Sequence, residues 1–147
     1  MDADEEFRLQ VSAVANHKDS TYYRTAELDA HVIDASLTGL SATIELIIGE
    51  NEICSAECLD EGLVSTIADF WTSTLITAAN GGKGAVTTTL SVQALKPIYS
   101  GTKIHVICTA SEPESRPMPY ATARFVSAAN HNDIFALATH TKFFKRA

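Results

Sequence analysis

Leu59 to Leu95 reads LDEGLVSTIADFWTSTLITAANGGKGAVTTTLSVQAL, and its two halves follow different periods. Leu63, Ile67, Phe70, Thr74 and Ala78 recur at helical spacing, and most other positions up to Ala79 are apolar as well. That pattern predicts a helix buried nearly all round. Asn80-Gly81-Gly82-Lys83-Gly84 stops it. Beyond the stop, Val86, Thr88, Leu90, Val92 and Ala94 alternate with period two, the signature of a strand with one covered face. A single acid, Asp69, stands between Ile67-Ala68 and Phe70-Trp71. A carboxyl in such surroundings is expensive to bury without a partner or a task, which makes Asp69 the first candidate functional residue. Ser65, Thr66, Thr72 and Ser73 are the hydroxyls near enough along the helix to bond it if its role is structural.

Upstream, Phe7, Val11 and Val14 give Asp4 to Ala15 one apolar stripe, so a short amphipathic helix is expected there, ended by His17-Lys18-Asp19-Ser20. Thr25 to Ile33 reads as a strand, Leu37-Thr38-Gly39-Leu40 as a turn, and Ser41 to Ile48 as the returning strand of a hairpin. Gly49 to Glu61 is a polar, acidic loop. Downstream, Lys103 to Ser111, Tyr120 to Ala129 and Ile134 to Phe144 read as further antiparallel strands, with turns at Pro97 to Gly101, Glu112 to Pro119 and Asn130 to Asp133. Two strands, one long helix and four more strands predict an α+β layer in which the sheet wraps the helix to bury it.

The chain has 147 residues, 46% of them hydrophobic, enough for one domain with a real core. Residues 1–24 are expected to form an N-terminal helix and linker, and residues 25–147 the core. The net charge of −7 is unevenly spread, with 15 acids and 3 bases up to Asp69 but 3 acids and 8 bases from Phe70 onward. General nucleic-acid binding is thereby disfavoured, while a local basic surface for a phosphorylated small ligand is not. No apolar run approaches the roughly 20 residues of a membrane span. The start Met1-Asp2-Ala3-Asp4-Glu5-Glu6 is unlike a signal or transit peptide, and Lys145-Arg146-Ala147 departs from a peroxisomal signal, so the expected address is cytoplasmic. Cys54, Cys58 and Cys108 are odd in number and lack zinc-knuckle spacing, so free thiols and no metal site are expected.

The order of these features resembles the hotdog-fold thioesterases, and among them the acyl-CoA and phenylacetyl-CoA thioesterase group. The resemblance runs from about Thr38 to Phe144. It is carried by Gly62-Leu63 through Asp69, the helix stop near Gly84, Leu95-Lys96-Pro97 followed by Gly101, and the closing His140-Thr141-Lys142. It implies an antiparallel sheet wrapped around the central helix, and a homodimer or dimer of dimers whose sheets join edge to edge with active sites between subunits. The implied reaction is hydrolysis of an acyl-CoA thioester, with coenzyme A as part of the substrate and no separate cofactor. Asp69 takes the position of the base or nucleophile, and Thr87, or Thr88 in the alternative register, that of the hydroxyl orienting the attacking water. The backbone N–H groups around Glu61, Gly62 and Leu63 would polarise the thioester carbonyl. The family's histidine-glycine-glycine reads Asp60-Glu61-Gly62 here, and its asparagine or glutamine at the thioester carbonyl falls at Cys54. Lys96, Pro97 and Arg116 match coenzyme-contacting turns, with Arg124, His140 and Lys142 as further candidates, and Phe70, Trp71 and Leu75 would line the acyl pocket. The altered helix start leaves two alternatives. One is a weak or inactive dimer that binds acyl-CoA or an acyl group. The other is a dehydratase or isomerase using Glu61 and Asp69 as an acid–base pair.

Overall fold

The computed structural model describes residues 1–17, 29–50, 53–112 and 118–144. Helix α1 (Ala3–Ala15) begins at Asp2, whose carboxylate accepts the Glu5 N–H at 2.7 Å, and buries Phe7 and Val11. Arg8 fastens it to the sheet by donating to the Val32 carbonyl at 3.1 Å. Strands β1 (Ala30–Ser36) and β2 (Ser41–Ile47) form the expected hairpin, with a bulge between Val32 and Asp34. The first strand is thus shifted toward the turn relative to the Thr25–Ile33 reading. Residues 25–28 of that reading lie outside the described residues.

Helix α2 (Glu61–Ala79) is the central rod, capped at Asp60, and most of its residues are buried. Strands β3 (Val86–Ala94), β4 (Lys103–Ala110), β5 (Tyr120–Ser127) and β6 (Ile134–Phe143) follow. All six strands join one antiparallel sheet in the order β1-β2-β4-β5-β6-β3. The covered face alternates as period-two patterning demands: Ala42, Ile44 and Leu46 on β2, then Ile104, Val106 and Cys108 on β4. On β5 and β6 it includes Ala121, Ala123, Ala136 and Ala138, small side chains that let the sheet lie close over α2, beside the larger Phe125.

Two features of this sheet position the site. The inner face of β6 changes from apolar to polar along its length, from Ala136 and Ala138 to the buried His140 and Lys142. Next to it, β3 is an edge strand of nine residues, none of them buried. Val86 is 41% exposed, so the alternation read from the sequence does not describe a strand covered within one chain. Among the described residues no helix is long and apolar enough to cross a membrane. None of their His, Cys, Asp and Glu side chains gather in threes to hold a metal ion.

Candidate active site

Asp69 lies two turns into α2 with its side chain 21% exposed. Ser73, one turn further on, donates its hydroxyl to Asp69 Oδ1 at 3.2 Å, as the i,i+4 spacing allows. The Ser73 oxygen in turn accepts from the Lys142 ammonium at 2.8 Å. Ammonium, hydroxyl and carboxylate therefore form one continuous relay between β6 and α2. Lys142 is only 6% exposed, and its burial pulls the ammonium below its ordinary value while the Asp69 carboxylate pulls the other way.

His140, fully buried, sits between two threonine hydroxyls. Thr72 Oγ1 is 2.6 Å from the Ala68 carbonyl and 2.7 Å from His140 Nδ1. A carbonyl can only accept, so the single Thr72 proton goes to Ala68 and His140 Nδ1 must be the donor in the second bond. A neutral imidazole with its proton on Nδ1 has its lone pair on Nε2, which then accepts from Thr87 Oγ1 at 2.7 Å. The neutral form is favoured physically: burial and the Lys142 charge lower the His140 pKa, against a smaller opposing pull from Asp69. Asp69 Oδ1 is 3.7 Å from Nε2, the same nitrogen that Thr87 uses. This is not the serine–histidine–aspartate arrangement, in which the acid and the hydroxyl take opposite ring nitrogens.

A β-bulge aims the threonine. Thr87 pairs with Lys142 and Thr89 with Thr141, leaving Thr88 as the extra residue. The insertion reverses the parity of the strand, so Thr87 rather than Thr88 turns toward His140. Thr88 instead donates to the Thr141 carbonyl at 3.1 Å.

The start of α2 forms a second cluster. Asp60 accepts the Gly62 N–H at 3.0 Å, so the amide expected to polarise a substrate is occupied by the chain's own carboxylate. A Cβ at Gly62 would fall 2.8 Å from Asp60 Oδ2, and the missing side chain thus makes room for the cap. Glu61 lines a cavity of about 190 Å³ together with Cys58, Val64, Lys96, Pro97 and Phe135. Lys96 there is ion-paired with Asp133 and lies 5.2 Å over the Phe135 ring.

Several expected roles change. Lys142 and His140, expected near a coenzyme, are buried within the Asp69 cluster. Phe70, Trp71 and Leu75 are packed in the core, with Phe70 and Trp71 edge to face at 5.0 Å, and none of them lines the cavity at the helix start. Cys54 closes a tight turn through its N–H bond to the Cys58 carbonyl, and it is Cys58 that lines the cavity. Burial, then the neighbouring Cys54 thiol, raises the Cys58 thiol above its ordinary value, so it stays protonated. Arg124 points away from the helix on an exposed position of β5, and Arg116 lies outside the described residues. Glu61 and Asp69 are eight residues apart on one helix, about 12 Å along its axis, too far to share a proton within one chain. Ser73 and Thr72, legible from sequence only as neighbours of Asp69, prove to be the residues that tie it to Lys142 and set the histidine tautomer.

No family model matches the chain, and no curated protein matches it either. Solved structures do. Thioesterase superfamily member 2 of zebra fish superposes with a TM-score of 0.79 at 17% identity, over 99% of this chain and 100% of that one. The E. coli PaaI protein of the phenylacetic acid degradation operon gives 0.76 at 11% identity, over 96% and 97%. A Streptococcus mutans protein bound to acetyl-CoA gives 0.67 at 15%, over 81% and 89%. The chain has the hotdog fold of thioesterase superfamily structures.

Proposed function

We propose that the protein is an acyl-CoA thioesterase acting as a homodimer through sites shared between subunits. The observation that carries this reading is the meeting of Asp69, Thr87 and the neutral His140 at the start of the edge strand β3. Asp69 is the base or nucleophile. Thr87 donates its hydrogen bond to His140, so its oxygen is left to accept a hydrogen bond from a water whose proton goes to Asp69. Among the described residues of one chain, the helix-start amides that would polarise a carbonyl do not reach the cluster, because Gly62 is about 10 Å away along the helix.

Edge pairing supplies it. The outer edge of this nine-residue strand has no partner among the described strands and invites a second copy, and a two-fold axis makes the two β3 strands antiparallel. The Asp69–Thr87 cluster lies at the start of β3, and the cavity with Glu61, Lys96 and Pro97 lies at its end. Reversing the strand brings the start of one beside the end of the other, so each site joins Asp69 of one subunit to the α2 N-terminus of its partner. Lys96 and Pro97, which line that cavity, are the residues assigned in this reading to the coenzyme. The acetyl-CoA-bound Streptococcus structure of the same fold is in keeping with such a ligand.

The Asp60 cap and the Glu61 carboxylate favour a second reading, an acyl-CoA-binding dimer with slow turnover. Thiol release from a panel of acyl-CoA esters separates the two. The thioesterase reading expects turnover that Asp69→Asn abolishes; saturable binding with no turnover in the native protein contradicts it and leaves the binding reading.

A further inference from the structure

Lys142 is a buried ammonium with a defined task on offer. It reaches the site from β6, two residues beyond His140 on the same covered face, a spacing of about 7 Å. Its hydrogen bond goes to Ser73, and Ser73 donates its own hydrogen bond to Asp69. Lysine is almost never buried without a compensating partner, and a side chain with this reach could have left its charge in solvent.

We propose that Lys142 is the positioning cation of the site: through the Ser73 hydroxyl it holds the Asp69 carboxylate in one orientation, and across the β6 face it sets a positive charge beside the His140 ring that serves Thr87. This rests on the thioesterase reading for its consequence in catalysis, though not for its electrostatics.

The hydrogen inventory supports it. Ser73 Oγ has one proton and gives it to Asp69 Oδ1, so it must accept at Lys142, which the ammonium with three donors satisfies. With that bond made, the Asp69 oxygen nearest His140 is turned to the serine, and the carboxylate is not free to rotate toward the imidazole. The like charge of Lys142 adds to burial in disfavouring imidazolium. Were His140 protonated at Nε2, that nitrogen would become a donor and Thr87 would have to reverse its hydroxyl, removing the acceptor from the water site.

The other charged groups around the cluster do not substitute for Lys142. Strand β3 contains no titratable side chain, and β5 offers only Tyr120 and Arg124, both on outward-facing positions. On α2 the titratable residues are Glu61 and Asp69, and on β6 they are His140 and Lys142. Lys142 is therefore the single cation these four elements turn inward.

The test uses the full-length protein with Lys142→Met, which keeps the length of the stem and removes the charge, and Ser73→Ala, which keeps the charge and cuts the relay. His140 is followed by its ring resonances in NMR, identified by their loss in His140→Gln. In Lys142→Met the His140 midpoint is expected to rise by about one pH unit, because a repelling charge has gone. Lys142→Gln serves for the same titration if the methionine variant fails to fold. With acyl-CoA as substrate, Lys142→Met should also move the acid limb of the kcat/KM profile to higher pH. Ser73→Ala should lower kcat at least tenfold with KM unchanged. An unmoved His140 midpoint in a folded charge-free variant overturns the proposal, as does Ser73→Ala with native kcat. Absence of hydrolysis in the native protein sinks the thioesterase reading alone, since the His140 titration needs no turnover.

Discussion

Replacing Asp60 by glycine should speed the thioester hydrolysis proposed for the protein. Asp60 Oδ2 lies 3.0 Å from the Gly62 nitrogen, on the amide best placed to meet a developing oxyanion. An oxyanion sharing that N–H would stand about 4 Å from the carboxylate, where two unit charges repel by about 4 kcal/mol at an effective dielectric of 20. The helix start is exposed, so solvent and salt reduce this to roughly 1–3 kcal/mol, a factor of about 5–150 in rate. The cost is small: aspartate to glycine at an N-cap loses only about a few tenths of a kcal/mol, and the extended backbone at Asp60, φ −62 and ψ 135, suits glycine equally well. Steady-state thiol release with acyl-CoA, run beside a thermal melt, measures both. A gain of about tenfold or more in kcat with an unchanged melting temperature is expected, and Glu61→Gln should add a further gain by removing the second charge at the cavity. Asp60→Gly with an unchanged or lower kcat and a native melt would refute the reasoning that the cap competes with substrate.

Three further outcomes are expected. Thr72→Val strands the buried His140 Nδ1–H, which costs about 1–3 kcal/mol. The melting temperature should then fall by roughly 3–9 °C, and a native melt would contradict the tautomer assignment. Because the folded protein holds the His140 pKa below its ordinary 6.5, the unfolded chain takes up the proton first as pH falls. The stability that the neutral ring allows is therefore complete above about pH 6.5 and declines below it, and His140→Gln should flatten that slope in melts between pH 5 and 7; an equal slope in both proteins counts against it. Thr89→Lys with Ser91→Lys puts charge on the exposed face of β3 and should turn the proposed dimer into a folded monomer in sedimentation velocity, whereas a dimer left unaltered places the interface elsewhere.

The fold was legible because its main signals are local. The buried period of Leu63–Ala78 and its glycine stop named the rod, and alternation on β2 and β4 named the sheet around it. Asp69 stood out for the cost of its position. Thr87 could not be separated from Thr88, because a bulge changes the facing of a strand without altering its composition. Lys142 misled for a related reason: a lysine near a strand end reads as a surface cation, and only the inward parity of β6 and the hydroxyl of Ser73 show that it is buried. The Asp60 cap was half legible. Aspartate before a helix is an ordinary N-cap, but that its carboxylate takes the particular amide wanted for chemistry depends on three-dimensional geometry.

Subunit complementation tests the shared site most directly. Asp69→Asn removes the acid and Gly62→Val blocks approach to the helix-start amide, so each homodimer should be inactive toward acyl-CoA. Co-expressed at equal levels, half the dimers are mixed, and each mixed dimer holds one site with both defects and one with neither. About a quarter of native activity should return. Recovery of none, with mixed dimers demonstrated by differential tags, would show that Asp69 and Gly62 do not meet across subunits.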